Sequence, residues 1–597
     1  MKKILKNKKI TTMTLLLVLT LTTVPFIVPC SYSQLSESES STPSEWIKLI
    51  TETPDGAYRD PPGVTQYPQT TTPSGTEDKT GFSEGPAPYT NHTLWRADIP
   101  VYDWNKIIAS RGKIYFGSTL DHCYYCLDQN TGEVIWQHNV TGGSQRWPQI
   151  AFGLVFIRDE GHVTALSLNN GNKFWTYEES GSPALSVAWP QVFEDGDAVY
   201  LSSRSNTTCL KVVHQEYPAV RVMWNRDTIR GRLAYYDHKL YGAGSYSTWA
   251  SCVDAATGDL IWNFTGTGDP IDMFYPSPTI AYGNVYLGTE NDGSVEFSDH
   301  VVCLDAETGD YKWTYETDEY FVQSISAGYG NIYIAGGERN SIHCVDGETG
   351  QKKWEYNAPG FVDYYDIQIG GNAIYFVCAA IKVQGFPVPG TYPGLVMCLD
   401  AITGDVIWSY HTETAATSPT LVDGKIYTQT EEDYVWCFGK GPTTTTTAVT
   451  SKGISLGQST VIYGSVEDMS PFSQQHPELQ SPVVAGVPVV LSYVKDGTWT
   501  DFATVNTASD GSYMYTLTPL NEGNYRVVAR FEGTDAYHWS SAQEVIQVSP
   551  ASSQAQPITP EEAIEAPLVT SETAIMIAVA IIAIAGIVVF WVLRKRK

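Results

Sequence analysis

Positive charge is scarce in this sequence, in which 37 Lys and Arg residues stand against 65 Asp and Glu residues over 597 positions. The formal net charge is −28 at pH 7. Proteins that bind nucleic acid need a basic surface for the phosphates. The sequence therefore predicts no nucleic-acid partner, and its acidic, well-hydrated surface suits a protein outside the cell.

Several motifs that carry catalysis are also missing, among them His-Glu-x-x-His and Walker-type phosphate loops. Two stretches offer metal ligands. Asp121, His122, Cys123 and Cys126 suggest zinc, but cysteines three apart on a strand point to opposite faces. The acidic insertion from Thr289 to Asp299 suggests calcium, with a solvated loop as the alternative. We predict no catalytic, cofactor-binding or metal-binding residues.

Both ends of the chain carry a long uncharged run. Five lysines precede the run from Met13 to Val28, so residues 1–33 are predicted to be a secretory signal peptide. Residues 572–593 are predicted to be a transmembrane helix, because the run from Thr573 to Leu593 lacks charge and is long enough to span a membrane, and the basic tail 594–597 places the C-terminus in the cytoplasm. The predicted topology is a single-pass cell-membrane protein with an extracellular ectodomain.

The aromatic and glycine content, 17 Trp, 37 Tyr and 50 Gly, favours short strands and tight turns. A short strand with a central aromatic residue recurs through residues 91–441, which is typical of propeller blades. The eight aromatic positions are Tyr115, Phe156, Tyr200, Tyr241, Tyr286, Tyr333, Tyr375 and Tyr427. The fold prediction is all-β, beginning with an eight-bladed β-propeller.

A second signature follows each of these strands and is clearest in CLDAETGDYKW, from Cys303 to Trp313. Its Asp-x-x-Thr-Gly supplies a turn between two strands. The last copy has Cys437 but no Trp, whereas Trp95 precedes the first full copy. We expect the strand around Trp95 to complete the last blade and close the ring, so that deleting residues 34–88 has little effect.

These repeats resemble the pyrroloquinoline-quinone (PQQ) repeat family, whose docking motif reads Ala-x-Asp-x-x-Thr-Gly-x-x-x-Trp. WD40 repeats are the alternative, but no repeated Trp-Asp pair ends the blades. The resemblance implies that seven tryptophans dock one blade on the next: Trp95, Trp136, Trp175, Trp262, Trp313, Trp354 and Trp408. It also implies a possible PQQ- and calcium-dependent dehydrogenase. The adjacent cysteine pair of those enzymes and the Cys-x-x-Cys-His motif are absent, since Leu127 follows Cys126.

The rest of the chain divides by composition. Residues 34–90 are a low-complexity extension, 442–448 a Thr-rich linker and 550–571 a polar tether. Residues 449–549 alternate apolar and polar positions, as in the run from Asn524 to Phe531, and predict a β-sandwich. This sandwich resembles the Ig-like domains of prokaryotic surface proteins.

Four sequons, at Asn91, Asn139, Asn206 and Asn263, predict glycosylation of the ectodomain. Together with the anchor and the Ig-like module they resemble archaeal surface proteins. The leading hypothesis is a non-enzymatic surface protein whose propeller binds a protein or glycan and uses no cofactor. The alternative is an outward-facing PQQ-dependent dehydrogenase.

Overall fold

The computed structural model describes residues 82–83, 87–101, 106–141, 148–151, 153–159, 162–178, 189–192, 198–203, 205–212, 220–243, 248–266, 273–290, 300–317, 322–336, 341–359, 361–362, 367–379, 394–412, 414–430 and 433–551. Within these ranges the chain forms strands and one short helix, α1 (Pro471–Gln475). The all-β prediction is confirmed for the described residues.

Eight antiparallel sheets follow one another from sheet 1 to sheet 8. Their strands are as follows. Sheet 1 has β3 (Ile108–Ser110), β4 (Lys113–Ser118), β5 (Cys123–Asp128) and β6 (Val134–Asn139); sheet 2 has β7 (Gln149–Ala151), β8 (Leu154–Asp159), β9 (His162–Ser167) and β10 (Lys173–Glu178). Sheet 3 has β11 (Trp189–Val192), β12 (Ala198–Ser202), β13 (Thr207–Val212) and β14 (Val220–Arg226); sheet 4 has β15 (Arg232–Tyr236), β16 (Lys239–Ala243), β17 (Trp249–Asp254) and β18 (Leu260–Thr265).

The remaining four sheets have the same order. Sheet 5 has β19 (Met273–Phe274), β20 (Thr279–Ala281), β21 (Asn284–Glu290), β22 (His300–Asp305) and β23 (Tyr311–Glu316); sheet 6 has β24 (Val322–Gly328), β25 (Asn331–Gly336), β26 (Ser341–Asp346) and β27 (Lys352–Asn357). Sheet 7 has β28 (Phe361–Val362), β29 (Gln368–Gly370), β30 (Ala373–Ala379), β31 (Gly394–Asp400) and β32 (Val406–His411); sheet 8 has β33 (Thr420–Val422), β34 (Lys425–Thr430) and β35 (Tyr434–Gly439), with β2 (Thr93–Asp98) as its fourth strand.

Each sheet is a meander, so its turns fall at two ends. The turns between the first and second strands and between the third and fourth strands share one end, which we call the turn end. The turns between the second and third strands and the connections to the next sheet share the other, the loop end. The first strands of neighbouring sheets contact one another, as do β24 with β29 and β29 with β33. The sheets therefore surround a common axis.

Sheet 8 is built from both ends of this region. Strand β2 pairs antiparallel with β35, and Trp95 lies opposite Cys437. Sheet 8 then packs on sheet 1, where the Thr420 hydroxyl donates to the Ile107 carbonyl at 2.6 Å. The circle of sheets is thus closed by a strand that precedes sheet 1 in sequence. Closure leaves fewer free sheet edges than an open stack would.

The predicted extension 34–90 includes residues that belong to the folded ring. Strand β1 (Phe82–Ser83) runs parallel to β29, the inner strand of sheet 7. Phe82 packs edge to face on Tyr329, with ring centroids 5.3 Å apart. A Cβ on Gly371 would lie 2.8 Å from Ala87. The predicted end of the extension at residue 90 is therefore too late. Phe82 is an apolar residue within a polar stretch, and the short strand around it pairs with the inner strand of sheet 7.

The chain after sheet 8 forms two further sheets. One has β36 (Thr443–Thr445), β37 (Ala448–Val449), β39 (Thr460–Asp468) and β42 (Ser512–Leu517); the other has β38 (Gly453–Ser455), β40 (Pro488–Lys495), β41 (Thr498–Asn506), β43 (Gly523–Phe531) and β44 (Ser540–Ser549). Tyr525, Val527, Ala529 and Phe531 are buried in one core between them, with Ile462 and Val466 of β39. The two sheets form a sandwich.

The prediction of a linker at 442–448 is wrong. Thr443–Thr445 pairs with Val466–Asp468 of β39, and Ala448–Val449 pairs with Ile462 and Tyr463. Threonine is β-branched and suits strands, so the threonine run is a strand of the sandwich. From composition alone, such a run is predicted to be a linker.

Several predicted segments lie outside the described residues: the signal peptide 1–33, most of the tether 550–571, the transmembrane helix 572–593 and the tail 594–597. Among the residues that are described, the structure contains no helix that is both long and apolar enough to span a membrane.

Stepwise truncation tests the role of the N-terminal segment. Deleting residues 34–81 leaves β1, Ala87 and β2 in place, deleting 34–90 removes β1 and Ala87, and deleting 34–100 also removes β2. We expect the melting temperature to fall slightly for the first deletion, more for the second and most for the third, because each lost buried hydrogen bond costs about 1 kcal/mol. Circular dichroism would measure the order, and equal melting of the second and third proteins would contradict it.

Candidate functional site

Three positions are repeated in all eight sheets and form the contacts between sheets. In each sheet a tryptophan lies on the outermost strand, a small residue on the strand paired with it, and an aromatic residue on the strand paired with that one. The three lie directly opposite one another. The sets are Tyr115–Cys126–Trp136, Phe156–Ala165–Trp175, Tyr200–Cys209–Trp224, Tyr241–Cys252–Trp262, Tyr286–Cys303–Trp313, Tyr333–Cys344–Trp354, Tyr375–Cys398–Trp408 and Tyr427–Cys437–Trp95. A small central residue leaves room for the two rings, which approach to 5.8–6.1 Å between centroids.

Six of the eight indoles cover a glycine in the turn of the next sheet. A Cβ on Gly309 would lie 2.7 Å from the Trp262 ring, and Gly309 has a φ of +75°. Both the contact and the backbone conformation therefore require glycine. The same contact joins Trp95 to Gly132, Trp136 to Gly171, Trp224 to Gly258, Trp313 to Gly350 and Trp354 to Gly404.

The aspartate and threonine of the motif hold the turn in place for this contact. The Asp305 carboxylate accepts hydrogen bonds from the backbone amides of Glu307 and Thr308 at 2.9 and 3.1 Å. Asp128, Asp254, Asp346 and Asp400 make equivalent bonds in their own turns. The Asp-x-x-Thr-Gly sequence is thus a preformed platform for the tryptophan of the preceding sheet.

The indole N–H groups of the same six tryptophans donate to carbonyls in those platforms. The Trp262 Nε1 to Ala306 O distance is 3.0 Å. The second-strand tyrosine hydroxyl often shares the acceptor, as Tyr333 does with Trp354 at Ala401 O. The other indole bonds join Trp95 to Gln129, Trp136 to Leu168, Trp224 to Ala255 and Trp313 to Glu348. These six buried indole N–H groups therefore find their hydrogen-bond acceptors on the next sheet.

Sheet 7 has no such platform to dock on, because sheet 8 lacks the Asp-x-x-Thr-Gly turn. The Pro88 carbonyl takes its place and accepts from Tyr375 Oη and Trp408 Nε1, both at 3.1 Å. The N-terminal segment therefore supplies the missing docking carbonyl as well as the fourth strand of sheet 8. No sequence pattern identifies Pro88, because it acts through its backbone carbonyl.

Trp224 was not among the predicted docking residues, although it sits in the same position as the others. The interval from Cys209 to Trp224 is longer than that from Cys126 to Trp136, and this insertion hides the motif. The predicted Trp175 packs in one core with Val199 and Leu210 of sheet 3. Residues 213–219, between β13 and β14, lie outside the described residues.

Comparison with known proteins identifies the repeat. A family model described as outer membrane protein assembly factor BamB matches residues 87–213 and 218–362. The chain carries BamB-like repeats. The polyvinylalcohol dehydrogenase of Sphingopyxis sp. (strain 113P3) is 26% identical over 241 residues, covering 34% of this chain and 32% of that protein. The dehydrogenase subunit of the quinone-type alcohol dehydrogenase of Komagataeibacter europaeus is 25% identical over 223 residues, covering 34% and 24%.

The chain thus spans a third or less of the length of these curated relatives. Two solved structures are similar over more than half of the chain. BamB from Moraxella catarrhalis shares 18% identity with a TM-score of 0.41 and covers 58% of this chain and 96% of its own. Sqt1 from Saccharomyces cerevisiae shares 13% identity with a TM-score of 0.47 and covers 59% and 99%.

The loop end of the BamB-like repeats differs from the turn end in its chemistry. At the loop end, buried side chains of the inner strands carry polar atoms that have no hydrogen-bond partner among the residues described. They are Ser118 Oγ in sheet 1, Gln149 Oε1 in sheet 2, Ser324 Oγ in sheet 6, and Gln429 Nε2 and Oε1 and Thr430 Oγ1 in sheet 8. A buried unpaired polar group costs about 1–3 kcal/mol, so this end of the axis is suited to taking up water or a polar ligand.

Ser118 and Gln429 both lie at the loop end of one buried cluster that joins sheets 8 and 1. Ser118 shares a strand face with Phe116, and Gln429 shares one with Tyr427, because alternate residues of a strand face the same side. Phe116 and Tyr427 belong to one buried cluster. Both polar side chains lie in the last two residues of their strands, so they stand at the loop end of that cluster.

The structure describes the residues of the possible zinc site but not most of the acidic insertion considered for calcium. Within the described residues no three His, Cys, Asp or Glu side chains are placed together as a metal site would require. Asp121 accepts a hydrogen bond from Tyr125, and the Cys123 thiol donates to Asn139 Oδ1 at 2.9 Å. Residues 291–299 of the acidic insertion lie outside the described residues.

A Gly-x-Ser-x-Gly sequence occurs at Gly453–Gly457. In hydrolases that motif forms a strand–turn–helix elbow. Here Gly453–Ser455 is strand β38, which pairs with β44 at the edge of the sandwich, and the Ser455 amide binds Gln458 Oε1. The elbow is not formed, so Ser455 is not a candidate nucleophile.

The sequons lie on the outside of the sheets. Asn91, Asn139 and Asn263 are exposed and Asn206 is half-buried. Asn91 Nδ2 donates to the Ser409 carbonyl at 2.9 Å, and Asn206 Nδ2 to Asn225 Oδ1 at 3.0 Å. Glycosylation at these positions stays a prediction.

A matched glycine pair tests the docking contact. Gly309 and Gly283 have nearly the same φ, +75° and +71°, but a Cβ meets Trp262 at Gly309 and nothing within 4 Å at Gly283. Gly283→Ala should cost about 1 kcal/mol of unfolding free energy through backbone strain alone. Gly309→Ala should cost about 1–3 kcal/mol more through overpacking. Urea unfolding measures both, and equal losses would show that the indole contact contributes nothing.

The cysteines of the repeated sets provide a second test. Burial raises the pKa of Cys126, Cys209, Cys252, Cys303, Cys344 and Cys437 to about 12. Because the thiolate is the reactive form, these thiols should react slowly with Ellman's reagent at pH 8 in the native protein. Unfolding in urea without reductant should release at least these six. Finding no additional thiols on unfolding would contradict the assignment of reduced, buried cysteines.

Proposed function

We propose that the chain is a non-enzymatic, membrane-anchored cell-surface protein in which the eight sheets are the blades of one β-propeller. Its loop end binds a protein or glycan, while the sandwich, an Ig-like domain, and the tether separate the propeller from the membrane. The observation that carries this proposal is the chemical difference between the two ends. The turn end uses most of its indoles, tyrosines and carbonyls to join the blades and leaves Tyr241 Oη and Asp423 Oδ1 unpartnered among the described residues, whereas six such buried atoms lie at the loop end.

The polar groups at the loop end fit a neutral, hydrogen-bonding ligand. The Gln429 side chain is only 1% exposed, and both its donor and its acceptor atom are unpartnered within the described residues. A carboxamide offers one donor and one acceptor side by side, which matches a peptide group or a pair of sugar hydroxyls. The net charge of −28 disfavours acidic ligands.

The alternative is an outward-facing PQQ-dependent dehydrogenase, because the curated relatives are a polyvinylalcohol dehydrogenase and a quinone-type alcohol dehydrogenase. The chain spans a third or less of their length. No two cysteines are adjacent in the sequence. The described residues also do not assemble the His, Cys, Asp or Glu group that a bound calcium ion would need. We prefer the non-enzymatic function because the unpartnered polar groups at the loop end match a neutral, hydrogen-bonding ligand.

The surface location is proposed from the predicted signal peptide, anchor and sequons taken together. Each supports the same topology, with residues 34–571 outside the cell and residues 594–597 in the cytoplasm. An archaeal source would account for a glycosylated, anchored ectodomain of this composition.

A single substitution separates ligand binding from stability at the loop end. Gln429→Leu keeps the size of the side chain and removes both unpartnered atoms, so the unfolding free energy should rise by about 1–3 kcal/mol. Binding of the glycan or peptide found on an array should weaken about tenfold or more. Gln351→Leu, at an exposed turn-end position, is the control and should change neither property. Undiminished binding by Gln429→Leu would contradict a role for Gln429 in ligand binding.

The dehydrogenase alternative has its own experiment. The purified chain is incubated with PQQ and calcium, and the quinone absorbance and the reduction of an artificial electron acceptor by alcohols and sugars are recorded. Our proposal predicts neither a saturable quinone spectrum nor acceptor reduction. A saturable spectrum accompanied by turnover would replace the binding hypothesis with the enzyme.

A further inference from the structure

The fourth strand of sheet 8 is held differently from the other fourth strands. In sheet 1, as in its counterparts, the fourth strand follows the third through a short turn, whereas β2 is separated from β35 by most of the propeller sequence. Bringing distant segments together costs more conformational entropy than closing a short turn. Strand β2 therefore needs stabilising contacts beyond the sheet, and the sandwich supplies them.

Gln480, from the sandwich, binds the outer edge of this strand. Its side-chain carbonyl accepts from the Thr93 amide at 3.0 Å, and its side-chain amide donates to the Thr93 carbonyl at 2.8 Å. Both backbone groups of one residue are thus paired by a single side chain, in the way that a neighbouring strand residue would pair them. Gln480 covers the edge of β2 where the sheet itself ends.

A buried polar cluster holds the residue before β2. His92 Nε2 lies 3.1 Å from Asp468 Oδ2 and 3.0 Å from Ser470 Oγ. Ser470 donates to Asp468 Oδ1 through its hydroxyl at 2.5 Å and its backbone amide at 2.9 Å. Burial, the largest influence, raises the pKa of Asp468, but the hydrogen bonds from His92 and Ser470 outweigh it and the pKa is lowered. The carboxylate is thus satisfied only while His92 stays in place.

The connection between sheet 8 and the sandwich passes through the same cluster. A Cβ on Gly441 would lie 2.6 Å from both His92 Nε2 and Ser470 Oγ. Gly441 is bonded on both sides, donating to Ala536 O at 2.8 Å and accepting from the His538 amide at 2.9 Å. Gly441 therefore packs directly against His92 and Ser470 and leaves no room for a larger side chain.

Apolar contacts complete the joint. Phe472 of α1 is buried against Trp436 of sheet 8, with ring centroids 5.8 Å apart. The Arg96 guanidinium of β2 lies 4.0 Å from the Tyr434 ring centroid and 5.8 Å from that of Phe472. Strand β2 is therefore covered by the sandwich through both polar and aromatic contacts.

We propose that the sandwich is the latch of the propeller ring: it retains the closing strand β2 through Gln480, Asp468 and Ser470. Opening of the ring then requires that the sandwich contacts break first. Force or a ligand acting on the sandwich would reach the ring closure through this cluster. This role is independent of what the loop end binds.

Hydrogen–deuterium exchange on the full-length chain tests the latch. Gln480→Met keeps side-chain length and removes the two bonds to Thr93, and Gln458→Met removes a comparable bond that stays inside the sandwich. Amides of β2 should exchange about tenfold faster in Gln480→Met than in the unaltered chain, because a local opening becomes easier. Amides of β23, the outermost strand of sheet 5, should not change, and Gln458→Met should resemble the unaltered chain.

A second pair guards against a misfolded variant. Gly441→Ala inserts a methyl group into the cluster, whereas a Cβ on Gly453 meets nothing within 4 Å. Gly441→Ala should accelerate β2 exchange by about tenfold and Gly453→Ala should not. Unchanged β2 exchange in both latch variants, or equal acceleration of β2 and β23, would overturn the proposal.

Discussion

The hydrogen bond from a tryptophan N–H to a turn carbonyl of the next sheet is the interaction on which this architecture depends. A sheet can bury its face only against a neighbouring sheet, and six of the indoles, each packed over a glycine with positive φ, join two sheets with one side chain. The glycine, the aspartate that holds its turn and the small residue beneath the ring all serve that one contact. Sheet 7 donates instead to the Pro88 carbonyl of the N-terminal segment, so its docking bonds depend on that segment staying in place.

Closure explains why the N-terminal segment is structured where its composition predicts otherwise. It provides the Trp95 indole for sheet 1, the Pro88 carbonyl for sheet 7 and the fourth strand of sheet 8. The sandwich covers that strand in turn, through Gln480 and the His92–Asp468 pair. The turn end of the ring and the joint with the sandwich are therefore committed to holding the molecule together, which leaves the loop end for a ligand.

The sequence predicts the part of the fold that side chains encode. Spacing of Cys303, Asp305, Gly309 and Trp313 identifies a turn and its docking residue, and the orphan Trp95 identifies the closing strand. Pro88 escapes prediction because it acts through its backbone, and Trp224 because an insertion displaces it from Cys209. Thr443–Thr445 reads as a linker because composition does not distinguish a threonine tether from a strand. The surroundings of Gln429 are formed by sheets 8 and 1, which are far apart in sequence. No pattern in a single sequence predicts that these two sheets meet.

Pulse-labelling hydrogen exchange across a urea series tests the central claim most directly, because it follows each strand separately during unfolding. A ring closed through the N-terminal segment and latched by the sandwich should unfold as one unit. The outer strands β2, β6 and β23 and the sandwich strand β43 should then lose protection at one urea concentration. Loss of β43 at a clearly different concentration from β2, or of β2 well before β6 and β23, would contradict the account.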